Sequence, residues 1–272
     1  MRFAICNETF QGWDFEKQCR RAAELGYKAL EIAPFTLAPT ADQVSAIDRA
    51  TFKDCAHAHG LEIIGLHWLL AGTSGLYLTN PEKSVTDATV AYFHQLIDLC
   101  SDLGGSLMVL GSPKQRNLLP GVTHSRAMEL AALLLRQLTS HLQDAGVTLA
   151  IEPLGPQEGD FLNTAESAVE LIQMVDSSNV RLHLDVKAMS SEVESYESLI
   201  LRHAAWLHHF HANDPNRQGP GMGEVDFLPI LRALHEVGYH GWVSVEVFDY
   251  TPGPDALASQ SIQYLQQTLA RL

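Results

Sequence analysis

Four short apolar runs in this chain end in a residue able to bind a cation: LAIEP at Glu152, LHLDV at Asp185, WLHHFHA at His211 and SVEVF at Glu246. An isolated carboxylate at the end of an apolar strand is costly to bury unless it is paired, hydrogen-bonded or bound to a cation. In the third run, strand alternation puts His209 and His211 on one face and His208 and Phe210 on the other. The chain then breaks into Asn213, Asp214, Pro215 and Asn216, a turn signature, so one imidazole stands where a strand gives way to a loop. If the four ends converge, they form a metal site of two Glu, one Asp and one His. Each residue alone has an ordinary alternative, as a hydrogen-bonded carboxylate or a packed core histidine. Four in succession at the same end of their strands are hard to explain separately, because buried carboxylates of like charge need a cation to coexist. The ligand set is hard and rich in oxygen. It suits one divalent ion, Mn²⁺ first, with Mg²⁺, Co²⁺ or Zn²⁺ as alternatives. Such an ion can hold the oxygens of a sugar and polarise its carbonyl, which acidifies the neighbouring C–H.

The elements that would position these residues follow one pattern along the chain. MRFAICN is a short strand, and WDFEKQCRRAAELGY has helical spacing that stops at Gly26. KALEIAP, with Glu31 inside it, repeats the strand, and TADQVSAIDRATFKDCAHAHG the helix. LEIIGLHWLL, ending near His67 and Trp68, leads through a longer loop to the amphipathic helix SVTDATVAYFHQLIDLCSDLG. SLMVLGSPKQRN is the fourth strand with its Gly-Ser-Pro turn, and the spacing predicts one helix from His124 to Ala145. VTLAIEP, VRLHLDV, WLHHFHA and GWVSVEVF are strands five to eight, followed by helices in TAESAVELIQMV, YESLILRHAA, DFLPILRALHEVG and DALASQSIQYLQQTLARL. Near-continuous apolar strands alternating with helices are the sequence form of a parallel sheet buried on both sides. The expected fold is α/β, a single (β/α)8 TIM barrel spanning residues 1–272. The alternative, an open doubly wound sheet, lacks the glycine-rich phosphate fingerprint after the first strand. In a barrel of this kind the active site lies at the C-terminal ends of the strands, where Glu152, Asp185, His211 and Glu246 fall on four neighbours.

Composition narrows the partner. The 272 residues are close to the ~250 typical of one eight-stranded barrel. A formal net charge of −14 argues against a nucleic-acid partner, which draws on clustered Lys and Arg. Cys6, Cys19, Cys55 and Cys100 are scattered without metal or redox spacing, as expected of buried thiols in a reducing compartment. MRFAICNETF has neither a charged leader nor a long apolar segment, and no run of ~18 apolar residues follows, so the expectation is a cytoplasmic protein with no membrane partner.

The strand ends IEPL, HLDV, HFHAND and VEVF, with the later GPGMGEVDFLPIL, resemble the xylose isomerase-like barrel superfamily over essentially the whole chain. Within it the pattern is most similar to the ketose 3-epimerases of the D-tagatose and D-psicose type. The resemblance implies that Glu152, Asp185, His211 and Glu246 are the metal ligands. It also implies that Glu152 and Glu246 form an acid/base pair on opposite faces of a sugar or keto-sugar. One carboxylate removes a proton beside the carbonyl and the other returns one to the opposite face, through a cis-enediolate. Glu158, six residues past Glu152, and Arg217, six past His211, are implied substrate contacts, and a homodimer or homotetramer is implied as the assembly. The chain departs from the pattern after Asp185. A histidine is expected three residues on, but LDVKAM places Ala188 there and leaves Lys187 as the nearest polar replacement.

Further pocket candidates come from position alone. His183 shares the face of Asp185 and could orient a ligand or touch substrate. His67 ends the third strand. Gln115 and Arg116 follow GSP, and arginine offers planar recognition of phosphate or carboxylate. Trp13, Trp68 and Phe248 could wall a sugar ring. Three other readings compete with an isomerase. A metal-dependent lyase would dehydrate an inosose-like or dehydroshikimate-like substrate; an abasic-site endonuclease would need more ligands and a basic face; a non-catalytic sugar-binding barrel would show no turnover.

Overall fold

The computed structural model describes residues 1–272. Eight strands, β1 (Arg2–Cys6), β2 (Ala29–Ile32), β3 (Glu62–Leu66), β4 (Leu107–Leu110), β5 (Thr148–Ile151), β6 (Val180–Asp185), β7 (Leu207–Ala212) and β8 (Trp242–Val245), close into a barrel in sequence order. Every pairing is parallel, including the closing one between β1 and β8. Most strand residues are buried on both faces, which is why the strands read as unbroken apolar runs rather than alternating ones.

Helices α1 (Phe15–Leu25), α2 (Ala46–Ala58), α3 (Lys83–Asp102), α4 (His124–Arg136), α5 (Thr139–Ala145), α6 (Ala165–Val175), α7 (Val186–Met189), α8 (Tyr196–His203), α9 (Phe227–Glu236) and α10 (Pro254–Leu269) follow the strands. Side chains of Asp14, Ser45, Thr123, Thr164, Ser195 and Asp226 cap α1, α2, α4, α6, α8 and α9, each satisfying a main-chain N–H of the first turn. At the end of α1, Gly26 takes φ 100°, a conformation open to glycine, and turns the chain into β2. No helix is long and apolar enough to cross a membrane.

Two local expectations are corrected. The run from His124 to Ala145 is not one helix: the Thr139 hydroxyl donates to Arg136 O at 2.9 Å, and such a side-chain bond competes with the helical ladder, so α4 ends and α5 begins. The third strand stops at Leu66, short of Trp68, whose φ of 53° is incompatible with an extended chain.

Register sets up the site. Asp185 on β6 lies beside His211 on β7, and one layer below them His183 lies beside His209. All four side chains face the barrel interior. Glu152 and Glu246 are the first residues beyond β5 and β8, so the strands carrying the two glutamates flank those carrying Asp185 and His211.

Candidate active site

At the C-terminal mouth of the barrel lies a cavity of about 670 Å³, lined among others by His67, Trp68, Glu152, Glu158, Lys187, Arg217, Glu246 and Phe248. Its floor is an array of buried titratable groups. One ligand atom from each of Glu152, His183, Asp185 and His211 lies within 4.8 Å of the others. Glu246 joins through His211, its Oε2 standing 3.1 Å from Nδ1. The four strand-end residues are therefore neighbours, with His183 added from below.

Each carboxylate is placed by a distinct local device. Asp185 caps α7: its Oδ1 accepts from Ala188 N at 2.7 Å, and its Oδ2 accepts from Asn213 Nδ2 at 2.5 Å. Asn213 in turn accepts from Lys187 N at 2.8 Å, tying the β6 and β7 ends together. Glu152 needs Gly111 beside it, since a Cβ there would stand 2.2 Å from Glu152 Oε2. Glu246 Oε1 accepts from the Trp68 indole N–H at 2.8 Å. Three residues with positive φ, Trp68, Ser112 and Arg217, line the cavity, as strained backbone often does at functional sites.

The electrostatics differ sharply from residue to residue. Burial, reinforced by repulsion from Glu246 and Asp185, pushes the Glu152 carboxyl well above the usual range. Burial also raises Asp185, with Lys187 opposing it and Glu246 adding to it. Glu246 goes the other way: burial disfavours its charge, but His211, His67 and the Trp68 N–H outweigh it and lower the carboxyl. Burial works against a charge on His211 as well, yet Glu31 and Glu246 on its two sides hold its pKa well above the usual value. Burial and the neighbouring imidazoles of His211 and His209 hold His183 well below that value.

Glu31, on β2, is a buried residue of the candidate site that strand-end reasoning passed over. Its carboxylate accepts from His209 Nε2 at 2.8 Å and from His211 Nε2 at 3.0 Å. Burial alone would raise it, but those two imidazoles hold it well below the carboxylate range. A carboxylate that fixes one ring nitrogen of a histidine leaves the other free to ligate, the usual support for a metal-binding imidazole. The signal was present in KALEIAP: a lone carboxylate inside an apolar strand carries the same burial cost as one at its end. Glu8, just past β1, was likewise missed; its Oε2 lies 2.8 Å from His67 Nε2.

Of the residues expected to touch substrate, His67, Glu158, Lys187 and Arg217 line the cavity, as does Gln115. Lys187 Nζ donates to Glu158 Oε2 at 2.7 Å and sits 4.5 Å over the Phe248 ring. Arg116 does not reach the cavity. The loop after β4 folds it inward, where it is 1% exposed and donates to the carbonyls of Glu152 at 2.7 Å and of Leu110 and Leu162 at 3.4 Å each. Burial lowers its pKa to about 10, and Glu152 and Glu158 oppose that shift. His183 is also beneath the cavity rather than on its wall. Trp68 and Phe248 form a wall with ring centroids 6.2 Å apart, whereas Trp13 packs on Phe10 away from it.

The donor set fits a divalent cation. Glu152 and Asp185 crowd together in a buried floor where their charges repel, and both ring nitrogens of His183 lack a partner. A cation among them relieves the repulsion and uses the free imidazole.

A family model described as a xylose isomerase-like TIM barrel matches residues 19–268. A D-psicose 3-epimerase of Ruminiclostridium cellulolyticum is 27% identical over 242 residues, covering 88% of this chain and 80% of its own. A probable ketose 3-epimerase of Synechocystis is 25% identical over 272 residues, covering 91% and 88%. The crystal structure of a D-psicose 3-epimerase with D-tagatose from Clostridium cellulolyticum superposes with a TM-score of 0.83 at 22% identity, covering 100% of this chain and 98% of that one.

Proposed function

The chain belongs to the family of xylose isomerase-like TIM barrels, and from that premise we propose that it is a divalent-metal-dependent epimerase or isomerase of a ketose or keto-sugar. The reaction moves a proton on the carbon beside the carbonyl. One observation carries this reading: two buried glutamates, Glu152 and Glu246, open onto a single cavity from the strands that flank Asp185 and His211. A pair of carboxylates on two sides of a bound sugar is what removal and return of a proton on opposite faces requires.

Glu152, Asp185, His211 and Glu246 would hold the ion, which when bound polarises the substrate carbonyl. The remaining chemistry belongs to the side chains. Glu246, held at Oε1 by the Trp68 indole and beside His211 at Oε2, takes the proton through a carboxylate oxygen whose direction is fixed. Glu152, given room by Gly111, delivers a proton to the other face; for the reverse reaction the two exchange roles. His67, Glu158, Lys187 and Arg217 bind and orient the sugar hydroxyls, and Trp68 and Phe248 shield the reacting carbon from water. Ala188 contributes only a methyl group where the resemblance expects a histidine. Lys187 and Glu158 therefore supply the polar contact on that side and set which ketose is accepted.

The test is exchange with solvent. The protein with Mn²⁺, incubated in D₂O with a panel of ketoses and keto-sugars, should incorporate deuterium at the carbon next to the carbonyl and yield an epimer or isomer whose mass changes only by the exchanged deuterium. Absence of exchange with every member of the panel would defeat the proposal. An unsaturated product absorbing in the ultraviolet would instead identify a dehydratase built on the same proton abstraction.

A further inference from the structure

His183 is an inward-facing group at the floor that the proposed proton transfer leaves unused. It is fully buried on β6, and neither Nδ1 nor Nε2 has a hydrogen-bond partner. Its neighbours differ in this respect, because His209 and His211 each bond Glu31 through Nε2. A buried polar group left unpaired costs about 1–3 kcal/mol, so a ring with two such nitrogens calls for a partner outside the protein's own donors and acceptors.

Geometry indicates what that partner is. His183 shares the inward face of β6 with Asp185, one layer deeper, and its ring lies edge-on to His211 with centroids 4.2 Å apart. One of its nitrogens falls in the set of atoms from Glu152, Asp185 and His211 that stand within 4.8 Å of one another. Donors that share a first-row ion at ~2.0–2.2 Å each lie up to ~4.4 Å apart, so four donor atoms all within 4.8 Å of one another can close on one ion with a small side-chain adjustment. Glu246 adjoins that set through His211, its Oε2 3.1 Å from Nδ1.

Resting on the metal-dependent reading above, we propose that His183 is itself a ligand of the ion, reaching it from the barrel interior beside Glu152, Asp185 and His211. The ion then has two imidazole ligands rather than one. A second nitrogen softens the site, favouring Mn²⁺, Co²⁺ or Zn²⁺ over Mg²⁺. The opposite, solvent-facing side of the ion is left to substrate oxygens.

Pulsed EPR of the full-length protein loaded with Mn²⁺ counts the directly bound nitrogens, independently of turnover. The expected result is two in the wild type and one in His183→Gln, with Mn²⁺ bound at least about 10-fold more weakly by the variant. A single nitrogen in the wild type would overturn the assignment while leaving the metal centre standing, and it decides the matter even if the variant does not fold. Unchanged Mn²⁺ affinity in a folded His183→Gln would overturn it too. So would two equivalents of Mn²⁺ of which the variant loses one, since the ion would then sit a layer lower, among His183, His209 and His211. No Mn²⁺ binding at all would remove the metal reading itself, and this proposal with it.

Discussion

Glu31 and Glu152 are both buried glutamates in the barrel, and they are treated in opposite ways. Glu31, on the β2 side, is bonded to two imidazoles and held well below the ordinary carboxylate range despite its burial. Glu152, on the β5 side, is surrounded by Asp185 and Glu246, and burial plus their repulsion lifts it well above that range. The β2 side is thus a finished electrostatic unit that orients histidines. The β5–β8 side is a surplus of negative charge, stable only with protons or a cation in it. In the proposed reaction identical side chains serve as support in one half of the barrel and as reactive groups in the other, and the neighbours supplied by the strand register make the difference.

Substitutions can test that contrast. The largest effect is expected from Glu152→Gln and Glu246→Gln. Each keeps the shape of the side chain and removes the proton-transferring carboxylate, so kcat should fall by about 10²–10⁴-fold. Steady-state turnover of whichever ketose exchanges deuterium checks this, and near-normal turnover in either variant would dismantle the acid/base pairing. An intermediate effect is expected at the supporting glutamate. Glu31→Gln should weaken metal binding by about 10–100-fold through loss of the His211 orienter, measured by titration with Mn²⁺. Turnover at saturating metal should change far less. If Glu31→Gln instead matched Glu152→Gln in kcat, the division into support and reaction would fail.

The smallest effect on chemistry is expected at Arg116. Replacing it with Met takes the guanidinium donor from the Glu152 carbonyl, at about 1–3 kcal/mol for a buried group left unsatisfied, while the Leu110 and Leu162 carbonyls keep the main-chain N–H groups of Glu152 and Leu154. Thermal unfolding should register that loss, while the KM for substrate stays near that of the wild type because the guanidinium does not line the cavity. A raised KM with unchanged stability would return Arg116 to the substrate pocket.

These cases show what a sequence displays and what it conceals. The barrel was legible because strands buried on both faces must be apolar throughout, and the meeting of Glu152, Asp185, His211 and Glu246 at one end of it because each interrupts such a run at its end. Glu31 was concealed by its position inside a run, although the cost of burying it is the same. Arg116 misled because a charged residue after a Gly-Ser-Pro turn looks solvated or substrate-facing; its three carbonyl partners come from β4, the residue just past β5 and the loop at Leu162, which only the folded chain assembles. The orphaned nitrogens of His183 were invisible for a related reason, since partners can be counted only once every neighbour is placed. The break between α4 and α5 turned on one threonine hydroxyl, a competition that periodicity does not register.

The measurement that bears most directly on the claim that the β5–β8 surplus awaits a cation is anomalous X-ray scattering from crystals grown with Mn²⁺. The account predicts one strong peak at the cavity floor, within coordination distance of Glu152, Asp185, His211 and Glu246. A peak elsewhere, or none at saturating Mn²⁺, would contradict it.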